Sequence, residues 1–115
     1  MIAVIFEVWP AETHQDDYLA IAAELGSDLS SIDGFVSVER FQSLSDPDKL
    51  LSLSFWRDEE AVARWRNHPP HRRSQAAGRA GIFKNYRLRV TEVLRDYGLG
   101  ERREAPADSI AMHGR

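Results

Sequence analysis

From Ile2 to Trp9 the chain alternates Ile2, Val4, Phe6 and Val8 on one face with Ala3, Ile5, Glu7 and Trp9 on the other, the two-residue period of a β-strand. Both faces are mainly apolar, so both are expected to be covered. Pro10 closes the strand. Thr13 with Asp16 three residues on resembles a weak capping box, and Tyr18, Ile21, Ala22, Leu25, Leu29 and Ile32 then recur at the spacing of an amphipathic helix. Gly26 weakens that helix or ends it early, and Ile32-Asp33-Gly34 marks the turn after it.

Residues 35–44 predict a second strand, and Ser45-Asp46-Pro47-Asp48 predicts the turn of a hairpin, because Asp and Pro preset its geometry. In the third strand Leu51, Leu53 and Phe55 share one face while Ser52, Ser54 and Trp56 share the other. Asp58 then offers an oxygen to the first free N–H groups of a helix, and Glu59 and Glu60 add charge suited to its positive end. Ala61, Val62 and Trp65 form its apolar face, with Arg57, Arg64 and Arg66 free to reach solvent. Pro69 and Pro70 break the helix, a second short one is expected from His71 to Gly78, and His68 and His71 lie at the junction.

Ile82 to Tyr97 is rich in β-branched and aromatic residues. As one strand it would span about 50 Å at roughly 3.3 Å per residue, against a radius of gyration of about 13 Å for a compact chain of this size. Such a strand must bend at a bulge or reach a second subunit. The second subunit is the preferred expectation, because a partner sheet would also cover the first strand's other face. The order is strand, helix, strand, strand, broken helix, strand: a ferredoxin-like β-α-β-β-α-β unit of the α+β class with an antiparallel sheet. It occupies residues 1–97, and residues 98–115, with almost no apolar period, are expected to be a flexible tail.

Composition narrows the function. The 115 residues suffice for one domain. The absence of cysteine excludes thiolate catalysis, cysteine metal ligands and disulfides, and suits a cytoplasmic setting. A net charge of −3 is too small and too mixed in sign for a nucleic-acid binder, and Arg64, Arg66, Arg72, Arg73 and Arg79 suggest a solvated face. No apolar run approaches the roughly 20 residues that span a bilayer, and the first residues lack the positive start of a signal peptide, so a soluble protein is expected.

Ile32-Asp33-Gly34-Phe35, Glu39-Arg40-Phe41, Ser54-Phe55-Trp56, Glu59-Glu60-Ala61 and Trp65 ahead of His71, following an apolar first strand, resemble the antibiotic biosynthesis monooxygenase family over residues 2 to 97. The resemblance implies a homodimeric α+β barrel with two sheets back to back and a final strand extending to the other subunit. It also implies one of several activities: cofactor-independent oxygenation of phenols and quinols, heme degradation, or isomerase and lyase steps. In the heme-degrading branch an Asn on the first strand, a Trp on the second helix and a ligand His about ten residues later act together. Trp65 matches, but Glu7 stands near the Asn position and Gln75 near the histidine, with His71 one helical turn earlier. Heme is therefore kept only as the alternative cofactor.

Oxygenation without a cofactor requires an electron-rich phenolate in an apolar pocket that admits O2 and excludes water. The expected catalytic residues are Glu7, with a raised pKa as acid–base group, and Arg40 and His71 as phenolate stabilisers. Trp65, Phe6, Trp9, Phe55 and Tyr86 would bind a small aromatic substrate. Structural roles compete with each of these. Trp65 can be a core anchor, Glu7 can pair with Arg40 across the sheet, and His68, His71 and His14 can face solvent or cap a helix. A metal site at His68 and His71 lacks an identified carboxylate, so no metal is expected. Two classes of function follow, a small oxygenase and a non-catalytic ligand-binding or structural dimer. A pocket between helices and sheet where Glu7, Arg40 and His71 converge would favour the first.

Overall fold

The computed structural model describes residues 1–11, 16, 19–20, 28–68 and 81–113. Four strands and two helices follow in the order β1 (Ile2–Pro10), β2 (Phe35–Gln42), β3 (Leu50–Trp56), α1 (Glu59–Arg66), β4 (Phe83–Glu92) and α2 (Ala107–His113). The strands lie side by side as β2-β3-β1-β4, each neighbouring pair antiparallel. This is the ferredoxin-like α+β architecture expected from the sequence. The stripe from Tyr18 to Leu25 and the helix from His71 to Gly78 lie outside the described residues. Leu29 and Ile32, the end of the first stripe, do pack into the core.

Strand β1 is central, with β3 on one side and β4 on the other, and its Ile2, Val4, Phe6 and Val8 pack into the apolar clusters. The β2–β3 hairpin closes where Asp and Pro predict it. Ser43 N–H donates to the Lys49 carbonyl at 3.1 Å and Lys49 N–H to the Asp46 carbonyl at 3.1 Å. Asp58 caps α1: its backbone is extended and its carboxylate accepts from Ala61 N–H at 2.8 Å, satisfying a donor that the first helical turn leaves free. The Arg57 guanidinium grips Asp33 through two bonds of 3.2 and 3.1 Å, and Arg64 donates to the Asp33 carbonyl at 2.8 Å. These bonds tie the start of β2 to α1.

Two apolar clusters form on the side of the sheet that carries α1. Ile2, Leu29, Trp56, Ala61 and Val62 make one, with Val4, Ile32, Phe35, Val38 and Trp65 packed against it. Val8 and Leu50, with Phe6, Ile82 and Phe83, make the other at the opposite end of the strands.

Two expectations need correction. The final strand is ten residues long and ends at Glu92, not Tyr97. Glu92 pairs with Ile2, the first residue of β1, and after Val93 N–H donates to the Met1 carbonyl no strand remains for the chain to pair with. The segment from residue 98 is also more structured than its composition suggests. Gly98 N–H donates to the Glu101 carbonyl at 2.7 Å, Ala105 is buried, and α2 follows. The radius of gyration, 16.8 Å, exceeds the roughly 13 Å of a compact chain of this length.

Candidate functional site

Strand register sorts the predicted residues into two groups. Ile2, Val4, Phe6 and Val8 of β1 stand beside Trp56, Ser54, Ser52 and Leu50 of β3, and these residues face α1. Ala3, Ile5 and Glu7 stand beside Phe55, Leu53 and Leu51 on the other, open face. Phe6, Tyr86, Trp65 and Arg40 therefore belong to the helix side, and Glu7, Trp9 and Phe55 to the open side. His71 lies outside the described residues, as do His14 and Gln75. The predicted convergence of Glu7 and Arg40 does not occur, because Glu7 is level with Leu51 and Arg40 with Ser52, and adjacent residues along a strand point to opposite faces.

On the open face Glu7 bridges Lys49 and Arg89. These cations hold its carboxyl below the ordinary value of 4.5, chiefly through the hydrogen bonds from Lys49 and then Arg89. Burial acts in the raising direction but is outweighed. The expected raised pKa is thus reversed, and the partners are Lys49 and Arg89 in place of Arg40. Lys49 also lies 5.1 Å over the Trp9 ring, and Trp9 Nε1 donates to Asp46 at 3.0 Å. Trp9 consequently staples β1 to the hairpin turn. Ala3, Ile5, Leu51, Leu53 and Phe55 share this face with Ser37, Glu39 and Phe41 of β2 and with Arg87, Arg89 and Thr91 of β4.

The helix side has a different character. One row across the sheet runs Arg40, Ser52, Phe6, Leu88, from β2 to β4. Phe6, Phe83 and Tyr86 pack as an aromatic group with centroids 5.8 to 6.2 Å apart. Ser52 and Ser54 are small and stand between the two apolar clusters, Ser54 buried and accepting from Trp56 Nε1 at 2.9 Å. Arg40 is exposed at one end, and no described carboxylate pairs with it. Two strand spacings of about 4.8 Å set its backbone about 10 Å from that of Phe6. This amphipathic floor suits a small molecule with an apolar body and a polar or anionic end.

Above that floor α1 presents Ala61 and Trp65, whose four-residue spacing places them on one helix face, and His68 follows two residues past the helix end. Trp65 lies 6.4 Å from the Trp56 ring, and His68 stacks on Trp65 at 5.7 Å with an interplanar angle of 21°. Trp65 is both core anchor and wall. His68, expected at the surface, is half-buried, and its Nδ1 is buried with no hydrogen-bond partner. Leaving such a group unpaired costs about 1–3 kcal/mol. Lys49, Arg89 and His68 were missed from sequence. The signal for Arg89 was the ferredoxin-like strand order, which sets the last strand beside the first. That for His68 was its three-residue spacing from Trp65.

Of the three positions compared with the heme-degrading branch, Glu7 and Trp65 are described, and His71 and Gln75 lie outside the described residues. The Glu7 carboxylate is on the face away from Trp65 and is held by two cations. Among the described residues no cluster of three metal-ligating side chains occurs, and no helix is long and apolar enough to cross a membrane.

Comparison with known proteins follows the same line. The family model for antibiotic biosynthesis monooxygenase matches residues 1–77. The chain is 48% identical over 93 residues to a protein of Pyricularia oryzae named jasmonate monooxygenase ABM, covering 81% of this chain and 43% of that one. It thus spans less than half of that relative. It is 30% identical over 94 residues to the uncharacterized protein YqjZ of Bacillus subtilis, covering 81% of this chain and 79% of that one. In solved structures the fold resembles an antibiotic biosynthesis monooxygenase-type protein from Deinococcus radiodurans, with a TM-score of 0.77, 13% identity, and 86% of this chain and 98% of that one covered. A Mycobacterium tuberculosis protein gives a TM-score of 0.76 at 18% identity, with 84% and 98% covered.

Proposed function

The chain belongs to the antibiotic biosynthesis monooxygenase family, and from that premise we propose that it is a monooxygenase of a small amphipathic molecule bound on the helix side of the sheet. The observation that carries this is the row Arg40, Ser52, Phe6, Leu88, a cation without a described carboxylate partner at one end of an apolar floor. A carboxylate of the jasmonate kind would set its charge at Arg40, where a charge-assisted hydrogen bond is strong, and lay its ring and alkyl chain on Phe6, Leu88 and Tyr86. The 48% identity to a jasmonate monooxygenase supports that substrate class. Trp65 closes the site from above and excludes water.

The aromatic group of Phe6, Phe83 and Tyr86 supports a second reading, a phenol or quinol substrate oxygenated without a cofactor. The two readings differ in electron balance. A quinol supplies both electrons that reduce the second oxygen atom to water, whereas hydroxylation of an unactivated carbon draws those electrons from an added reductant. Oxygen uptake with jasmonic acid and with a naphthoquinol, each with and without NADH, tests both. Uptake with jasmonic acid that requires NADH supports the acid substrate, and uptake with the quinol alone, above the rate of its autoxidation without protein, supports the cofactor-free reaction. No uptake in any arm removes the proposal. A homodimer in the cytoplasm is part of it, with the partner sheet covering the open face.

A further inference from the structure

We propose that His68 is a ligand-binding residue, whose Nδ1 makes a hydrogen bond to an oxygen atom of the small molecule held on the helix side of the sheet. A folded protein pairs nearly all its buried polar atoms, and an exception marks a site of strain or of binding. His68 Nδ1 is such an exception, buried and without a hydrogen-bond partner. It is not a stray surface group, since its ring stacks on Trp65 at 5.7 Å, and Trp65 itself packs against the core cluster on the sheet. The stack fixes the ring plane, and therefore the direction of the nitrogen, before any ligand arrives. The helix ends at Arg66, and Asn67 and His68 N–H groups return to the Ala63 and Trp65 carbonyls at 3.1 and 3.0 Å, so the backbone beneath the ring is also held.

A nitrogen presented in this way, with an aromatic wall on one side, recognises a hydroxyl or carbonyl oxygen on an otherwise apolar molecule. Neutral imidazole can serve either, as acceptor from a hydroxyl or donor to a carbonyl, according to its tautomer. This adds a second polar anchor to that of Arg40, and it rests on the substrate reading above for the identity of the molecule but not for the existence of the binding group.

Two variants test it. His68→Phe keeps the stack on Trp65 and removes the nitrogen, and His68→Asn restores a polar group near the Nδ1 position. The Phe variant is expected to melt at or above the wild-type temperature, since it relieves an unpaired buried group. It is also expected to bind jasmonic acid or naphthoquinol at least about tenfold more weakly, the loss of one hydrogen bond, with part of that affinity regained in the Asn variant. A lower melting temperature for His68→Phe overturns the proposal, because the nitrogen then serves the fold. So does unchanged affinity for whichever probe the wild type binds. If the wild type binds neither probe, the substrate reading fails and the melting comparison alone decides the role of His68.

Discussion

Glu7 and Arg40 stand on opposite faces of the sheet, although only one strand separates theirs. The two charges therefore do different work. Glu7 is committed to Lys49 and Arg89 on the open face, where it holds β1, β4 and the hairpin end together. Arg40 is exposed on the side of α1 and pairs with no described carboxylate.

Glu7→Gln should consequently alter stability and its pH dependence while leaving the chemistry alone. The Glu7 carboxyl is held below 4.5 in the folded protein, so the unfolded chain takes up the proton first. Its contribution is full above pH 4.5 and disappears as the pH falls through the folded value. Wild-type melting temperature is thus expected to drop on acidification below 4.5, with Asp33, Asp46 and Asp58, also held low by their partners, contributing to the same fall. The Gln variant should melt lower than wild type at neutral pH and show a shallower acid fall. Its kcat/KM, measured at a temperature where both are folded, should stay within about threefold of wild type.

Arg40→Ala should weaken substrate capture. A charge-assisted hydrogen bond contributes about 1.5–3 kcal/mol, so KM for an acid substrate should rise about 10- to 100-fold. A change confined to KM would show that Arg40 holds the anion equally in ground and transition states. Arg40→Lys should recover only part, because the ammonium lacks the planar two-point fork. Steady-state oxygen uptake over a range of jasmonic acid concentrations measures both.

Gly34 is a place where only glycine fits. Its φ is +91°, and a β-carbon built there would lie 2.7 Å from that of Ala61, which is fully buried. Its carbonyl also accepts from Arg57 N–H at 2.7 Å, which prevents the loop from moving aside. Gly34→Ala should therefore lower stability by about 1–3 kcal/mol through strain and overpacking. Urea denaturation followed by Trp56 and Trp65 fluorescence should show an earlier midpoint with an unchanged slope.

The strands and α1 could be read from the chain because their signals are local. Alternation in β1, Asp58 as cap and Asp46-Pro47 as turn each act within a few residues. The end of β4 could not, because it is set by where β1 begins, some ninety residues away in sequence. The site was half legible for the same reason. Alternation assigns Phe6 and Glu7 to opposite faces, but nothing local says which face the helix covers. In β3 the Leu51, Leu53 and Phe55 face is the open one, and α1 packs on the side of Ser52, Ser54 and Trp56. Glu7 was aimed at the wrong partner because its two cations come from the hairpin turn and the last strand.

The open face yields the last prediction. Ile5 and Leu53 are directly opposed in the β1–β3 ladder, with Ala3 and Phe55 on one side and Leu51 on the other, an apolar strip between Glu39 of β2 and Arg89 of β4, and contiguous apolar surface rimmed by polar residues marks a contact site. A second copy meeting this face through a two-fold axis would cover the patch on both subunits at once. Leu53→Lys would then carry a charge into the dry centre of the contact, where desolvation costs several kcal/mol. Sedimentation velocity should show wild type as a dimer and Leu53→Lys as a monomer with a lower melting temperature. Leu44→Lys, at a fully exposed position beyond the end of β2, should remain dimeric. A wild type that sediments as a monomer at micromolar concentration would exclude the sheet-to-sheet pairing and leave the apolar face to another partner.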